Sequence, residues 1–181
     1  MRIQRTLPPA AAPISMIDIF NGLKGWLRGQ AEIEKFRADI KTHFQVKHCF
    51  FLSSGKAALT VIIQVLKRLS PDRDEVLIPA FTCYSVPSAV VRAGLKVRLC
   101  DVDPATLDLD YTKLYSSLNP RKSLLAVVCP HLFSLPANMG ELRNRIDDAG
   151  IAVVEDAAQA MGGLAGENHL GTLGDVGFFS L

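Results

Sequence analysis

The chain has 181 residues, the length of one domain or one and a fraction, and a folded chain of that size buries about 70% of the surface its unfolded form exposes. Apolar residues make up 49% and charged residues 21%, which excludes a disordered or fibrous chain. A net charge of +2 leaves no electrostatic footprint for nucleic acid or an anionic membrane, and no apolar run approaches the length of a bilayer span.

Residues 1–30 are punctuated by proline and glycine, lack a sustained period, and read as an N-terminal arm. Arg2 and Arg5 imitate the basic end of a signal peptide, but Pro8, Pro9 and Pro13 spoil the apolar helix such a leader needs. A cytoplasmic, soluble protein is therefore expected. Ile33, Phe36, Ile40 and Phe44, spaced by three and four, predict a helix. An apolar run at Cys49 to Ser53 reads as a strand feeding a helix over Lys56 to Leu69. Glu75 to Ile78 is a strand stopped by Pro79, a helix covers Ser88 to Ala93, and Val97 to Val102 is the next strand. A weak helix follows at Tyr111 to Leu118, then a buried strand at Ser123 to Cys129 stopped by Pro130. Met139 to Ala149 is helical with Gly150 as its cap, Ile151 to Glu155 is a strand, and Gly174 to Leu181 opens one more element.

Strands apolar throughout and separated by helices predict a largely parallel sheet covered on both faces, an α/β/α arrangement. In such sheets ligands sit at the carboxyl ends of the strands, so the residues just after each strand carry the functional signal. The four cysteines (Cys49, Cys83, Cys100, Cys129) form no Cys-x-x-Cys pair, and the four histidines lack metal-ligand spacing. Neither zinc nor disulfides are indicated.

Three places at strand ends stand out. Ser53-Ser54-Gly55-Lys56-Ala57-Ala58 opens a helix whose first amides, with the Lys56 charge, make an anion site. It is not a nucleotide P-loop, because Phe50 stands where that motif needs glycine and Ala57 where it needs Ser or Thr. An ordinary turn with a solvated lysine is the plain alternative. Asp156, in Val153-Val154-Glu155-Asp156-Ala157-Ala158-Gln159, suits a ligand contact and a helix N-cap equally. Ser180, among bulky apolar residues after Gly174-Asp175, can bind phosphate or satisfy the backbone. His131, just past Pro130, reads as a structural hydrogen-bonding residue at the same edge.

Taken together and in this order, these segments resemble the DegT-type sugar aminotransferases, pyridoxal phosphate enzymes of fold type I. The resembling stretch runs from about Phe50 to Leu181. It includes Ser54-Gly55-Lys56-Ala57-Ala58-Leu59, Ile78-Pro79-Ala80-Phe81-Thr82-Cys83, His131-Leu132-Phe133, Val154 to Ala160, and Gly174-Asp175 leading to Phe179-Ser180. The resemblance implies a three-layer α/β/α large domain over 31–181, without the family's C-terminal small domain. It implies that Gly55, Lys56 and Ala57 hold the cofactor phosphate together with Ser180. It also implies that Asp156 faces the pyridine nitrogen, that Gln159 bonds near the phenolic oxygen, and that Cys83 stands where the family places an aromatic ring against the cofactor.

Two departures are visible, Cys83 for the aromatic residue and Lys56 for a common threonine. The family's Schiff-base lysine falls about five residues beyond Ser180, past Leu181, so these 181 residues are expected to be inactive alone. The implied reaction moves an amino group from an amino acid to a nucleotide-linked keto-sugar in a homodimer. Alternatives are a dehydratase of the same family with histidine in place of that lysine, a non-catalytic remnant, or another α/β phosphate binder.

Overall fold

The computed structural model describes residues 14–146 and 150–180. The chain divides into two compact units, residues 1–51 and 52–181.

In the first unit, helix α1 (Met16–Arg28) and helix α2 (Gln30–Phe44) follow one another. The aperiodic reading of residues 1–30 misses α1. Ser15 and Asp18 close a reciprocal capping box, the Ser15 Oγ accepting from the Asp18 amide at 3.3 Å and the Asp18 carboxylate accepting from the Ser15 amide at 2.8 Å. In α2 only Phe44 is buried, while Phe36 stacks on Phe51 with ring centres 5.1 Å apart. The run at Cys49 to Ser53, expected as a strand, has no strand pairing. Its apolar composition is the same in an extended connection, because pairing is not a local property.

The second unit is built on five parallel strands in the order β2-β1-β3-β4-β7. These are β1 (Glu75–Pro79), β2 (Lys96–Cys100), β3 (Leu124–Pro130), β4 (Ala152–Asp156) and β7 (Val176–Phe178). The short pair β5 (Leu164–Ala165) and β6 (Asn168–His169) forms a separate antiparallel hairpin that periodicity does not reveal. Helices α3 (Gly55–Leu69) and α4 (Ser85–Arg92) cover one face, and α5 (Tyr111–Ser117) and α6 (Met139–Ile146) the other. Helix α4 begins three residues before its expected start. Residues 147–149, in the expected extension of α6, lie outside the described residues.

Alternation along each strand explains the two cores. Val76 and Ile78 join Leu59, Ile63, Val86 and Val90 beneath α3 and α4, while Leu77 joins Leu114, Leu142 and Val153 on the opposite face. In β3 the alternation slips by one, with Leu125 and Ala126 both on the α3–α4 face. The cause is a bulge: Glu75 pairs with Leu124 but Val76 with Ala126, leaving Leu125 as the extra residue. The chain leaves β1 for β2 on one side and returns to β3 on the other, so the strand order reverses between β1 and β3. The carboxyl ends of the strands around that reversal are where an open α/β sheet offers a ligand crevice.

Candidate active site

Every candidate residue lies in the second unit: Cys83, Asp156, Gln159 and Ser180 lie at or beyond the carboxyl ends of β1, β4 and β7, while Gly55, Lys56 and Ala57 open α3. Asp156 ends β4 and pairs in register with Phe178 of β7, and the Ala157 amide donates to the Phe178 carbonyl at 3.0 Å. Two residues further on, Ser180 meets the start of α3. A Cβ built on Gly55 would stand 3.1 Å from Ser180 Cβ, 3.4 Å from its Oγ and 3.6 Å from Phe178 Cδ2. Glycine at 55 therefore lets the helix terminus and the Ser180 hydroxyl share one place. The ladder from Asp156 through Phe178 to Ser180 ties the carboxylate to that terminus.

The α3 terminus is capped by Ser54, whose Oγ accepts from the Ala57 amide at 3.1 Å. Ala57 has thus already spent its donor, and the Gly55 and Lys56 amides are the open ones among the described residues. The Lys56 side chain reaches the exposed Tyr84 ring, its Nζ 5.9 Å from the ring centre. Cys83 is exposed and its Sγ accepts from the Ser85 hydroxyl at 3.1 Å. No helix follows Asp156, which removes the N-cap reading. Its Oδ1 accepts from the Ala158 amide at 3.1 Å, and burial pushes its carboxyl above the ordinary aspartate range, against the opposing pull of that amide and of His131. A desolvated carboxylate with one hydrogen bond suits a cationic partner.

Glu155, on the opposite face of β4, was not singled out from the sequence and is the most heavily bonded side chain here. It is fully buried. Its Oε1 accepts from His131 Nε2 and from the Gly171 amide, both at 2.8 Å, and its Oε2 accepts from the Leu173 and Gly174 amides at 2.5 and 2.6 Å. Burial raises the carboxyl, but the bonds from His131, Gly174 and Gly171 outweigh it and hold Glu155 below the ordinary range. His131 Nδ1 accepts from the Ala137 amide at 3.1 Å, so its proton sits on Nε2, facing Glu155. An acid inside an otherwise apolar strand was the available signal for this network, as Ser before an apolar helix was for the Ser54 cap.

A model of the DegT/DnrJ/EryC1/StrS aminotransferase family matches residues 21–181. The chain is 32% identical over 160 residues to L-glutamine:2-deoxy-scyllo-inosose aminotransferase of Streptoalloteichus tenebrarius, covering 88% of this chain and 37% of that protein. It is 27% identical over 157 residues to GDP-perosamine synthase of Vibrio cholerae, covering 86% of this chain and 42% of the relative. Among solved structures, E. coli GDP-4-keto-6-deoxy-D-mannose-3-dehydratase with bound hydrated PLP superposes with a TM-score of 0.81 at 22% identity, over 92% of this chain and 44% of that one. That likeness shows the fold. The chain spans less than half the length of these relatives.

Proposed function

The chain belongs to the DegT/DnrJ/EryC1/StrS aminotransferase family, and on that premise we propose that its second unit is the cofactor-binding part of a pyridoxal phosphate-dependent aminotransferase. The substrate class is a keto-sugar carried on a nucleotide, and the amino donor is an amino acid. The observation that carries the reading is the junction of Gly55 with Ser180 beside the register pair Asp156 and Phe178.

The residues present fit the cofactor. A phosphate suits the two open amides of Gly55 and Lys56 and the Ser180 hydroxyl, in a space that any side chain at 55 would fill. A protonated ring nitrogen supplies the countercharge that the desolvated Asp156 carboxylate lacks, and that carboxylate in turn keeps the nitrogen protonated. Pyridoxal phosphate, when bound, supplies an electron-withdrawing cationic ring to the carbon that carries the amino group. This chain's share is to hold the phosphate at α3, the ring nitrogen at Asp156 and the phenolic oxygen at Gln159. With Cys83 in place of an aromatic ring, Tyr84 is the nearest ring in sequence to take up stacking. Fold type I enzymes complete the site between two subunits, so a homodimer follows.

The test is borohydride reduction of the protein from its natural source after incubation with pyridoxal phosphate, followed by peptide mass analysis. A cofactor adduct on a lysine beyond position 181 supports the aminotransferase. A histidine there with no adduct points to the dehydratase branch. Unchanged turnover after Asp156→Ala, with the fold kept, refutes the role given to Asp156.

A further inference from the structure

The segment His131–Ala137, between β3 and α6, contains two consecutive non-glycine residues in the left-handed region. Phe133 has φ 54° and ψ 30°, and Ser134 has φ 63°. L-residues avoid this conformation unless the surroundings enforce it, and such outliers gather at functional sites. The base of the segment is pinned by His131. Its amide donates to the Asp156 carbonyl at 3.0 Å, its ring Nδ1 takes the Ala137 amide at 3.1 Å, and its Nε2 is held by Glu155. The tip grips one residue, Gln159. The Phe133 amide donates to Gln159 Oε1 at 2.9 Å, and the Ser134 hydroxyl donates to the Gln159 carbonyl oxygen.

We infer that this strained segment is a bracket that sets the rotamer and the sense of the Gln159 carboxamide, presenting its Nε2 hydrogens to the ligand as a donor. Gln159 is exposed, and an exposed glutamine left to itself samples several rotamers and both amide orientations. Only its oxygen can accept from the Phe133 N–H, so the bracket leaves the NH2 end as the one facing outward. No described residue accepts from that Nε2. A donor there selects a phenolate or other oxygen acceptor over a group without one. Phe133 and Ser134 are positioning residues, acting through Gln159. The inference rests on the cofactor reading above and adds to it what fixes the Gln159 carboxamide.

The experiment measures the affinity of the full chain for two non-covalent ligands, pyridoxamine 5′-phosphate and its 3-deoxy analogue, by calorimetry. Neither needs a Schiff-base lysine. The unsubstituted protein should prefer the phenolic ligand by about three- to tenfold, the net worth of one hydrogen bond. Ser134→Gly keeps the positive φ but loses the hydroxyl that holds the Gln159 main chain against the segment, and with it the register of the Phe133 N–H on Gln159 Oε1, so it should bring that ratio towards one while leaving affinity for the deoxy analogue unchanged. Ser134→Ala should do the same. Phe133→Gly retains the amide and relieves the strain, so it should keep the ratio. Equal weakening of both ligands in the Ser134 variants would show a scaffold role only and overturn the inference, as would an unchanged ratio. Equal binding of the two ligands by the unsubstituted protein would place Gln159 away from the phenolic oxygen. Binding of neither ligand would overturn the cofactor reading itself, a distinct outcome.

Discussion

Glu155→Gln preserves volume and shape almost atom for atom, yet the hydrogen bonds around this side chain make it a severe change. A carboxylate is acceptor-only, and all four of its partners are donors: His131 Nε2, and the amides of Gly171, Leu173 and Gly174. A glutamine must turn its NH2 either toward His131 and Gly171 or toward Leu173 and Gly174. Moving the His131 proton to Nδ1 gives no relief, because that nitrogen then meets the Ala137 amide. Two donors are left facing a donor in either orientation, buried ones on the His131 and Gly171 side and part-buried ones on the Leu173 and Gly174 side, at about 1–3 kcal/mol each. The expected loss is roughly 4 kcal/mol, a large part of the roughly 5–15 kcal/mol that holds a domain together. It corresponds to a fall of roughly 10–15 °C in Tm. Urea and thermal denaturation followed by circular dichroism measure it directly. A Glu155→Gln protein within about 1 kcal/mol of the original would refute the acceptor-only argument. The same group sets an acid limit. Its folded-state pKa lies below the unfolded value, so its stabilisation is complete above the ordinary glutamate range and is lost as pH falls through the lowered value.

Asp156 has the opposite sign. Burial raises its folded pKa, so its charge destabilises the protein without cofactor at neutral pH and that cost is relieved as pH falls through the raised value. Asp156→Asn should therefore raise the denaturation midpoint at pH 7 while weakening the binding of pyridoxamine 5′-phosphate; a lower midpoint would contradict the sign. Gly55→Ala places a methyl 3.1 Å from Ser180 Cβ, and should cost about tenfold or more in affinity for that ligand, on the scale of one charged hydrogen bond lost, with little change in melting. Gly177→Ala drives a methyl into the Gly171 carbonyl, backbone that the Glu155 carboxylate already holds. A loss of about 3 kcal/mol is expected by urea titration, and a neutral result would mean the Gly171–Gly174 turn moves freely.

Much of the second unit was legible because its signals are local. Strands β1, β3 and β4 announce themselves as short apolar runs, since a strand buried on both faces needs no alternation. Helix α3 follows from its apolar spacing, and Pro79 and Pro130 mark where strands close. The segments that lack a local signature were misread or missed. Cys49 to Ser53 has strand composition without a strand to pair with. The β5–β6 hairpin is two residues a side, too short to show a period. Helix α1 is the exception, missed although its signals are local: the Ser15–Asp18 capping box and Met16, Phe20, Leu23 and Leu27 at spacings of three and four.

From sequence alone came the residue types that suit the chemistry: a glycine and serine for an anion, an aspartate at a strand end, a glutamine three residues later. Which of them meet was decided by the tertiary structure. Gly55 touches Ser180 because β7 pairs with β4 and α3 packs on that face, and strand order is a long-range property that no window of sequence contains. The division of labour between the neighbouring acids is tertiary too. Successive strand residues point to opposite faces, so Asp156 faces the α3 side with little to bond it. Glu155 turns into the interior and is consumed by four donors.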